Sequence, residues 1–184
     1  MAKGLHFLLP LFVFTLLLSE THAAYTHDLV RSSCVHASYP NICLRTLSTY
    51  GSSASTPRDL AQLAVRVSLA KVRRGSVFLS QLTVRGRRAR RALSDCVEQM
   101  GDAMDELSST LSDLQHLRRG GDFRWQMSNA ETWVSAALTN EDTCLDGFQE
   151  VGVNVRADVR RRITNVARVT SNALYLINLL DESP

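Results

Sequence analysis

Seven apolar side chains, Leu93, Val97, Met100, Met104, Leu107, Leu111 and Leu114, follow one another in alternating steps of four and three. A helix turns about 100° per residue, so this step keeps all seven on one stripe, whereas a half-buried strand needs a step of two. Val159, Ile163, Val166, Thr170, Ala173, Ile177 and Leu180 repeat the pattern. A helix with one apolar stripe must bury it against other helices. The sequence supplies two more. Pro57 after Ser55-Thr56 is a helix start, and Leu60, Leu63, Val67, Ala70 and Val77 then share a face up to about Arg85. Ser128-Asn129-Ala130-Glu131 has the form of a capping box and opens a helix carrying Trp133, Val134, Ala137 and Cys144, with Gly147 at its end. No strand-like alternation competes. Four such helices joined by shortish loops specify an all-α, up-down-up-down four-helix bundle.

Four cysteines allow three pairings, and helix geometry chooses between them. Ser38-Tyr39-Pro40-Asn41 is a turn signal near the midpoint of Cys34 and Cys43, so those two sulfurs face each other across a short helical hairpin. Gly120 is the midpoint of Cys96 and Cys144, beside Gly121 and Asp122. A chain reversal there between antiparallel helices brings both cysteines to the same end of the pair, as a bridge requires. In the loop-entropy account the short bridge contributes roughly 2.7 kcal/mol and the long one roughly 4.

Disulfides imply an oxidising compartment, and the amino terminus agrees. Lys3, the apolar run Leu5 to Leu18 and the small residues up to Ala24 form a signal peptide, removed near Ala23. The apolar run rises only about 21 Å as a helix, short of a bilayer's roughly 30 Å core. No later run is long enough to span one. The expected organisation is a leader over 1–23, a disulfide-linked helical hairpin with its linker over 24–56, and the bundle over 57–184. The hairpin packs either on its own bundle or on a neighbour's. Without Lys3 and Glu20 the chain keeps its net charge of +3, too slight to imply nucleic acid. Lys71 is then the only lysine; the other cations are arginines.

Catalytic chemistry finds little support. His27, His36 and His116 lie far apart with no ligand-like spacing, the cysteines are committed to bridges, and no Gly-x-Ser-x-Gly turn occurs. Neither a metal nor a cofactor is expected.

Three stretches resemble the plant invertase and pectin methylesterase inhibitor family. They are Cys34-x8-Cys43 with Tyr39-Pro40 inside it, the segment Ala92-Leu93-Ser94-Asp95-Cys96 followed by Asp102 to Leu107, and the run Thr132 to Phe148. A late Thr170-Ser171-Asn172-Ala173-Leu174 accompanies them. The family fold is a four-helix bundle with a helical hairpin and the same disulfide pairing. The resemblance implies a secreted apoplastic protein that blocks a partner enzyme one-to-one and performs no chemistry itself. The invertase branch presents a Pro-Lys-Phe motif, absent here; the segments Asn140 to Phe148 and Asn154 to Ala173 are more similar to the pectin methylesterase branch. An invertase inhibitor and a secreted pectin-binding or signalling module are the alternatives. A similar bundle also occurs as a pro-region ahead of pectin methylesterases, but no catalytic domain follows Pro184 in this sequence.

Two charged regions are candidates for contact. Asp95, Asp102, Asp105, Glu106 and Asp113 lie off the Leu93 to Leu114 stripe, and Glu131, Glu141, Asp142 and Asp146 follow on the next helix. Such acids form either a solvated face with weak local ion pairs or a surface that meets basic residues around the target's groove. The resemblance places bundle helices across the enzyme's cleft, and Asp95, Asp102, Asp105, Ser135, Thr139 and Asn140 are the expected contacts. Arg85, Arg87, Arg88, Arg90 and Arg91 crowd a helix start, where the dipole disfavours cations, and read as a solvated linker with an exposed first turn. The rival reading is a weak contact with acidic pectin. Trp133, among Ala and Val, is expected in the core; Trp125 falls in the loop before that helix.

Overall fold

The protein was analysed as a computed structural model that describes residues 28–50, 54–118 and 120–181. The expected leader lies outside them. Among the described residues six helices follow in order: α1 over residues 28–34, α2 Pro40–Ser48, α3 Pro57–Ser80, α4 Arg87–Gln115, α5 Gly121–Gly147 and α6 Val153–Asp181. There is no strand among the described residues. Helices α3 to α6 form the bundle: α4 packs on α3 and α5, α6 packs on α3 and α5, and the α4/α5 contact is the most extensive.

The stripes explain the assembly. All seven expected core residues of α6 are buried, while on α4 Met100, Leu107 and Leu114 are buried and Leu93, Val97, Met104 and Leu111 flank them half-buried. Small side chains fill the gaps: Ala92, Ala103, Ala130, Ala137 and Ala173 are buried. At Gly75 there is no room for a side chain, since a Cβ there would lie 3.2 Å from the Met100 methyl and 3.3 Å from Ile163 Cδ1.

The ends of the helices are tied by side chains. Thr56 Oγ1 accepts from Asp59 N at 3.1 Å and Asp59 Oδ2 accepts from Thr56 N at 3.0 Å, a reciprocal cap that starts α3 at Pro57. From the same turn Arg58 donates to the carbonyls of Leu114 and Gln115 at 2.9 and 2.8 Å, and Gln62, one turn on, also reaches Leu114 O. These carbonyls end α4 with no helical partner of their own, so α3 caps its neighbour. Gly86 and Gly120 hold φ of +91° and +93°, a conformation other residues rarely adopt, at the two sharp entries into α4 and α5.

Several boundaries differ from the sequence expectation. α3 stops at Ser80 rather than Arg85, and its buried face runs through Ala61, Ala64, Ser68, Val72 and Leu79 beside Leu60, Leu63 and Val67; Ala70 and Val77 are exposed. α5 opens at Gly121, one residue after the positive-φ glycine, so Ser128 to Glu131 is helix interior and not a cap. Its buried stripe is Met127, Ala130, Val134, Ala137, Glu141 and Cys144. Trp133, one residue out of phase with Val134, therefore stays 41% exposed instead of entering the core. Trp125 is in α5 rather than a loop and is 68% exposed.

The hairpin packs on its own bundle. Cys34 bonds Cys43 across the α1/α2 turn with Cα atoms 5.6 Å apart, and Val30, Ala37 and Leu47 are buried with them. Asn172 on α6 grips the turn from both sides. Its Oδ1 accepts from Tyr39 N at 2.9 Å, its Nδ2 donates to Tyr39 O at 3.0 Å, and Arg168 lies 5.4 Å from the Tyr39 ring centroid. Asn172→Ala removes both bonds and strands the Tyr39 backbone groups, with an expected cost of about 1–3 kcal/mol. Thermal unfolding should show that loss, and hydrogen exchange should locate it as faster exchange in α1 and α2 with α4 and α5 unchanged.

Candidate functional site

Among the described residues, more than half of the exposed acids stand on residues 93–114 and 130–147 of α4 and α5, the two helices joined by Cys96 and Cys144. Those Cα atoms are 4.3 Å apart. A shallow cavity of about 560 Å³ opens beside the bond, with Asp95 and Glu98 of α4 and Asp146 of α5 in its lining. Farther along α4, Asp102 and Asp105 are exposed. Asp105's neighbour Glu106 is half-buried and accepts from Asn140 Nδ2 at 2.8 Å, a hydrogen bond that crosses between the helices. Burial raises the Glu106 carboxyl above its ordinary value, the Asn140 bond opposes this, and Asp102 and Asp105 push it further up. Beyond it Asp113 is raised by burial, against a hydrogen bond from Trp133 and the charge of His116. Trp133 thus lies beside Asp113 of α4 and shows much of its ring to solvent.

Of the six expected contact residues, Asp95, Asp102, Asp105 and Asn140 flank this α4/α5 seam. Ser135 and Thr139 sit differently. At about 100° per residue, Trp133, Asn140 and Cys144 fall on the flank of α5 that meets α4, while Ser135 falls on the other side of the buried stripe. Both hydroxyl residues are exposed, and Thr139 Oγ1 donates to Ser135 O at 3.0 Å. The surface is therefore an acidic seam with one tryptophan, Trp133, and a hydroxyl-bearing shoulder.

The arginine run is the opening of α4 itself: Arg87, Arg88, Arg90 and Arg91 occupy its first two turns and Arg85 precedes Gly86. Arg88 pairs with Glu150 at 2.6 Å, both side chains well exposed. Such a pair adds little stability but neutralises one charge of the cluster. Among the described residues no group of three or more His, Cys, Asp or Glu could hold a metal ion, and no helix is long and apolar enough to cross a membrane.

Glu141 does not belong to the solvated acids. It is 0% exposed, its Oε1 accepts from Thr170 Oγ1 of α6 at 2.7 Å, and its Oε2 has no hydrogen-bond partner among the described residues. Burial drives its pKa from 4.5 up to about 8; the Thr170 bond opposes this, and Asp142 and Glu106 add to it. The signal was present in the sequence, since position 141 continues the step from Val134 and Ala137 to Cys144.

A family model described as plant invertase/pectin methylesterase inhibitor matches residues 28–176. The chain belongs to that family. Pectinesterase inhibitor 3 of Arabidopsis thaliana is 51% identical over 165 residues, 85% of this chain and 80% of the relative. Pectinesterase inhibitor 9 of the same plant is 38% identical over 98% of this chain and 95% of its own. The family also includes longer chains: of pectinesterase/pectinesterase inhibitor U1 from Solanum lycopersicum, 30% identical, this chain covers 28%. The fold agrees with a crystal structure of mutant form A of a pectin methylesterase inhibitor from Arabidopsis. Its TM-score is 0.64 at 21% identity, over 79% of this chain and 93% of that one. A second crystal structure of a pectin methylesterase inhibitor from Arabidopsis thaliana gives 0.57 over 83% and 96%. The matched segment takes in the hairpin as well as the bundle of this family member.

Glu141 gives the inhibitor-family bundle a defined pH response. Its folded pKa is raised, so the native state holds a proton that the unfolded chain, with the ordinary value of 4.5, gives up. The full benefit is present below about 4.5 and is lost as pH rises toward about 8. Across that window its contribution falls by something on the order of 5 kcal/mol. Glu141→Gln keeps the shape and an acceptor for Thr170 without a titrating proton. Denaturant unfolding at pH 5 and pH 8 should show a smaller loss of stability on going alkaline for the variant than for the parent.

Proposed function

We propose that the protein inhibits a pectin methylesterase by laying the α4/α5 seam over the enzyme's substrate cleft in a one-to-one complex. The observation that carries this reading is the 51% identity to pectinesterase inhibitor 3 across 80% of that protein. Occlusion asks no chemistry of the inhibitor. It requires a rigid convex surface, which α4 and α5 provide because their disulfide and the Glu106–Asn140 bond fix one helix against the other. A specific complex of this kind buries on the order of 1,600 Å². Asp95, Asp102 and Asp105 serve encounter and register against a basic rim, Asn140 and the shoulder of Ser135 and Thr139 supply neutral hydrogen bonds, and Trp133 supplies contact area at the centre.

The same reading takes residues 1–23 as a secretory leader, residues 24–56 as hairpin and linker and residues 57–184 as the bundle, with the mature protein in the apoplast. De-esterification leaves carboxylates on the polymer, so the Arg85, Arg87, Arg88, Arg90 and Arg91 cluster would attract its own target's product weakly and in a salt-dependent manner.

Titration of purified, oxidised protein into a pectin methylesterase should abolish activity near equimolar ratio and leave an acid invertase active; inhibition of the invertase alone would overturn the proposal. Asp102→Arg with Asp105→Arg should weaken inhibition ten-fold or more while leaving the melting temperature nearly unchanged. Cys96→Ser with Cys144→Ser should lower stability by about 4 kcal/mol and weaken inhibition with it; a folded double variant with undiminished inhibition would separate the bond from the function.

A further inference from the structure

The outer side of α3 is cationic without compensation. Arg66, Lys71, Arg73 and Arg74 share that helix with a single acid, Asp59, which is committed to the α3 cap, while the remaining cation, Arg58, caps α4. Arg66, Ala70 and Arg74 follow at steps of four and so line one ridge, with Lys71 beside it. The hairpin docks against this ridge, and between them lies a groove of about 510 Å³. Its cations are Arg66, Lys71 and Arg74 from α3 and Arg45 from α2. The floor is apolar, made by Leu63 and Val67, both buried, and Ala70. Thr46, Thr49 and the Tyr50 ring complete the wall. No carboxylate lines it, and among the described residues none of the four cations is in a salt bridge.

Four like charges around one hollow repel one another, which is a standing cost that an anion would remove. The volume falls in the range of small-ligand sites, and the mixture of apolar floor, hydroxyls and convergent cations is the composition such sites have. A flexible acidic peptide would use the cations but has no need of the flat floor. An acidic sugar uses both: ring carboxylates reach the guanidinium and ammonium groups, the apolar ring face lies on Leu63, Val67 and Ala70, and its hydroxyls meet Thr46 and Thr49. Arg45 and Arg66 stand on different elements, so the groove exists only while the hairpin is docked.

We infer that the α2/α3 groove binds a short segment of de-esterified uronate polymer through Arg45, Arg66, Lys71 and Arg74, on a surface separate from the α4/α5 seam. The identity of the polymer rests on the pectin methylesterase reading above; the anionic-sugar chemistry of the groove does not. The consequence is product anchoring. The inhibitor would be held where ester groups have already been removed, with its acidic seam free to meet the enzyme.

The test uses the full disulfide-bonded protein and calorimetric titration at low salt with four probes: a de-esterified oligogalacturonate, its fully methyl-esterified counterpart, a neutral oligosaccharide and an oligo-aspartate of similar charge. The oligogalacturonate should bind, and the triple variant Arg66→Gln, Lys71→Gln, Arg74→Gln should lose at least ten-fold in affinity. The quintuple Gln variant of the Arg85 to Arg91 run should retain most of it. Equal binding of the methyl-esterified or aspartate probe, or a triple variant that binds like the parent, overturns the inference. Thermal unfolding of the triple variant verifies that the fold is kept, since all three side chains reach solvent. Esterase inhibition measured on the same variant should be unchanged, so failure of the sugar site and failure of the inhibitor proposal give different results.

Discussion

The close approach of α4 to α5 is the constraint on which the rest of the molecule depends. Alanines at 103, 130 and 137 leave room for the helices to come together, and the Cys96–Cys144 bond holds their Cα atoms at 4.3 Å. Once that pair is fixed, Glu106 and Asp113 are drawn partly out of water, and Asn140 reaches across the seam to bond Glu106. Polar groups that would otherwise be mobile surface side chains are thereby held in one arrangement. A recognition surface built this way loses little conformational freedom when a partner arrives.

The remaining helices complete the bundle around this pair and give it an uneven charge. α4 begins with arginines and then turns acidic, α5 contributes more acids, and α3 carries almost only cations. The charge of one small molecule is in this way divided between its helices, acidic along α4 and α5 and basic along α3.

Much of this was legible before any coordinates. The four-three steps of α4 and α6 give both helices and the side each one buries, because a bundle buries one stripe per helix; on α4 the small residues Ala92, Cys96, Ala103 and Thr110 are buried beside that stripe and are not marked by apolar bulk. The midpoints of the cysteine pairs lie at chain reversals, and the structure pairs them the same way. The weaker readings fail where local signals conflict with tertiary ones. Ser128 to Glu131 has the letters of a cap but stands inside α5, because Gly120, with its positive φ, lets the helix begin directly at the turn. Trp133 looks like core by composition, yet the stripe's phase puts Val134 there instead. Glu141 was the opposite case, an acid by type and a core position by phase. The hydrogen bond that crosses the seam joins residues distant in sequence, Glu106 and Asn140, and no local pattern encodes such a pair.

Asn172 offers the hairpin turn one carbonyl oxygen and one amide N–H, which is what a residue on an adjacent β-strand offers its partner. In a fold with no strand among its described residues, a single side chain stands in for one rung of a sheet. The equivalence is narrow. Aspartate keeps the acceptor but loses the donor, serine cannot reach both backbone groups of Tyr39 at once, and glutamine carries its amide one carbon too far from α6. A position that sequence inspection would take for an ordinary polar residue near the end of a helix is therefore restricted to one amino acid by the geometry of the peptide group it imitates.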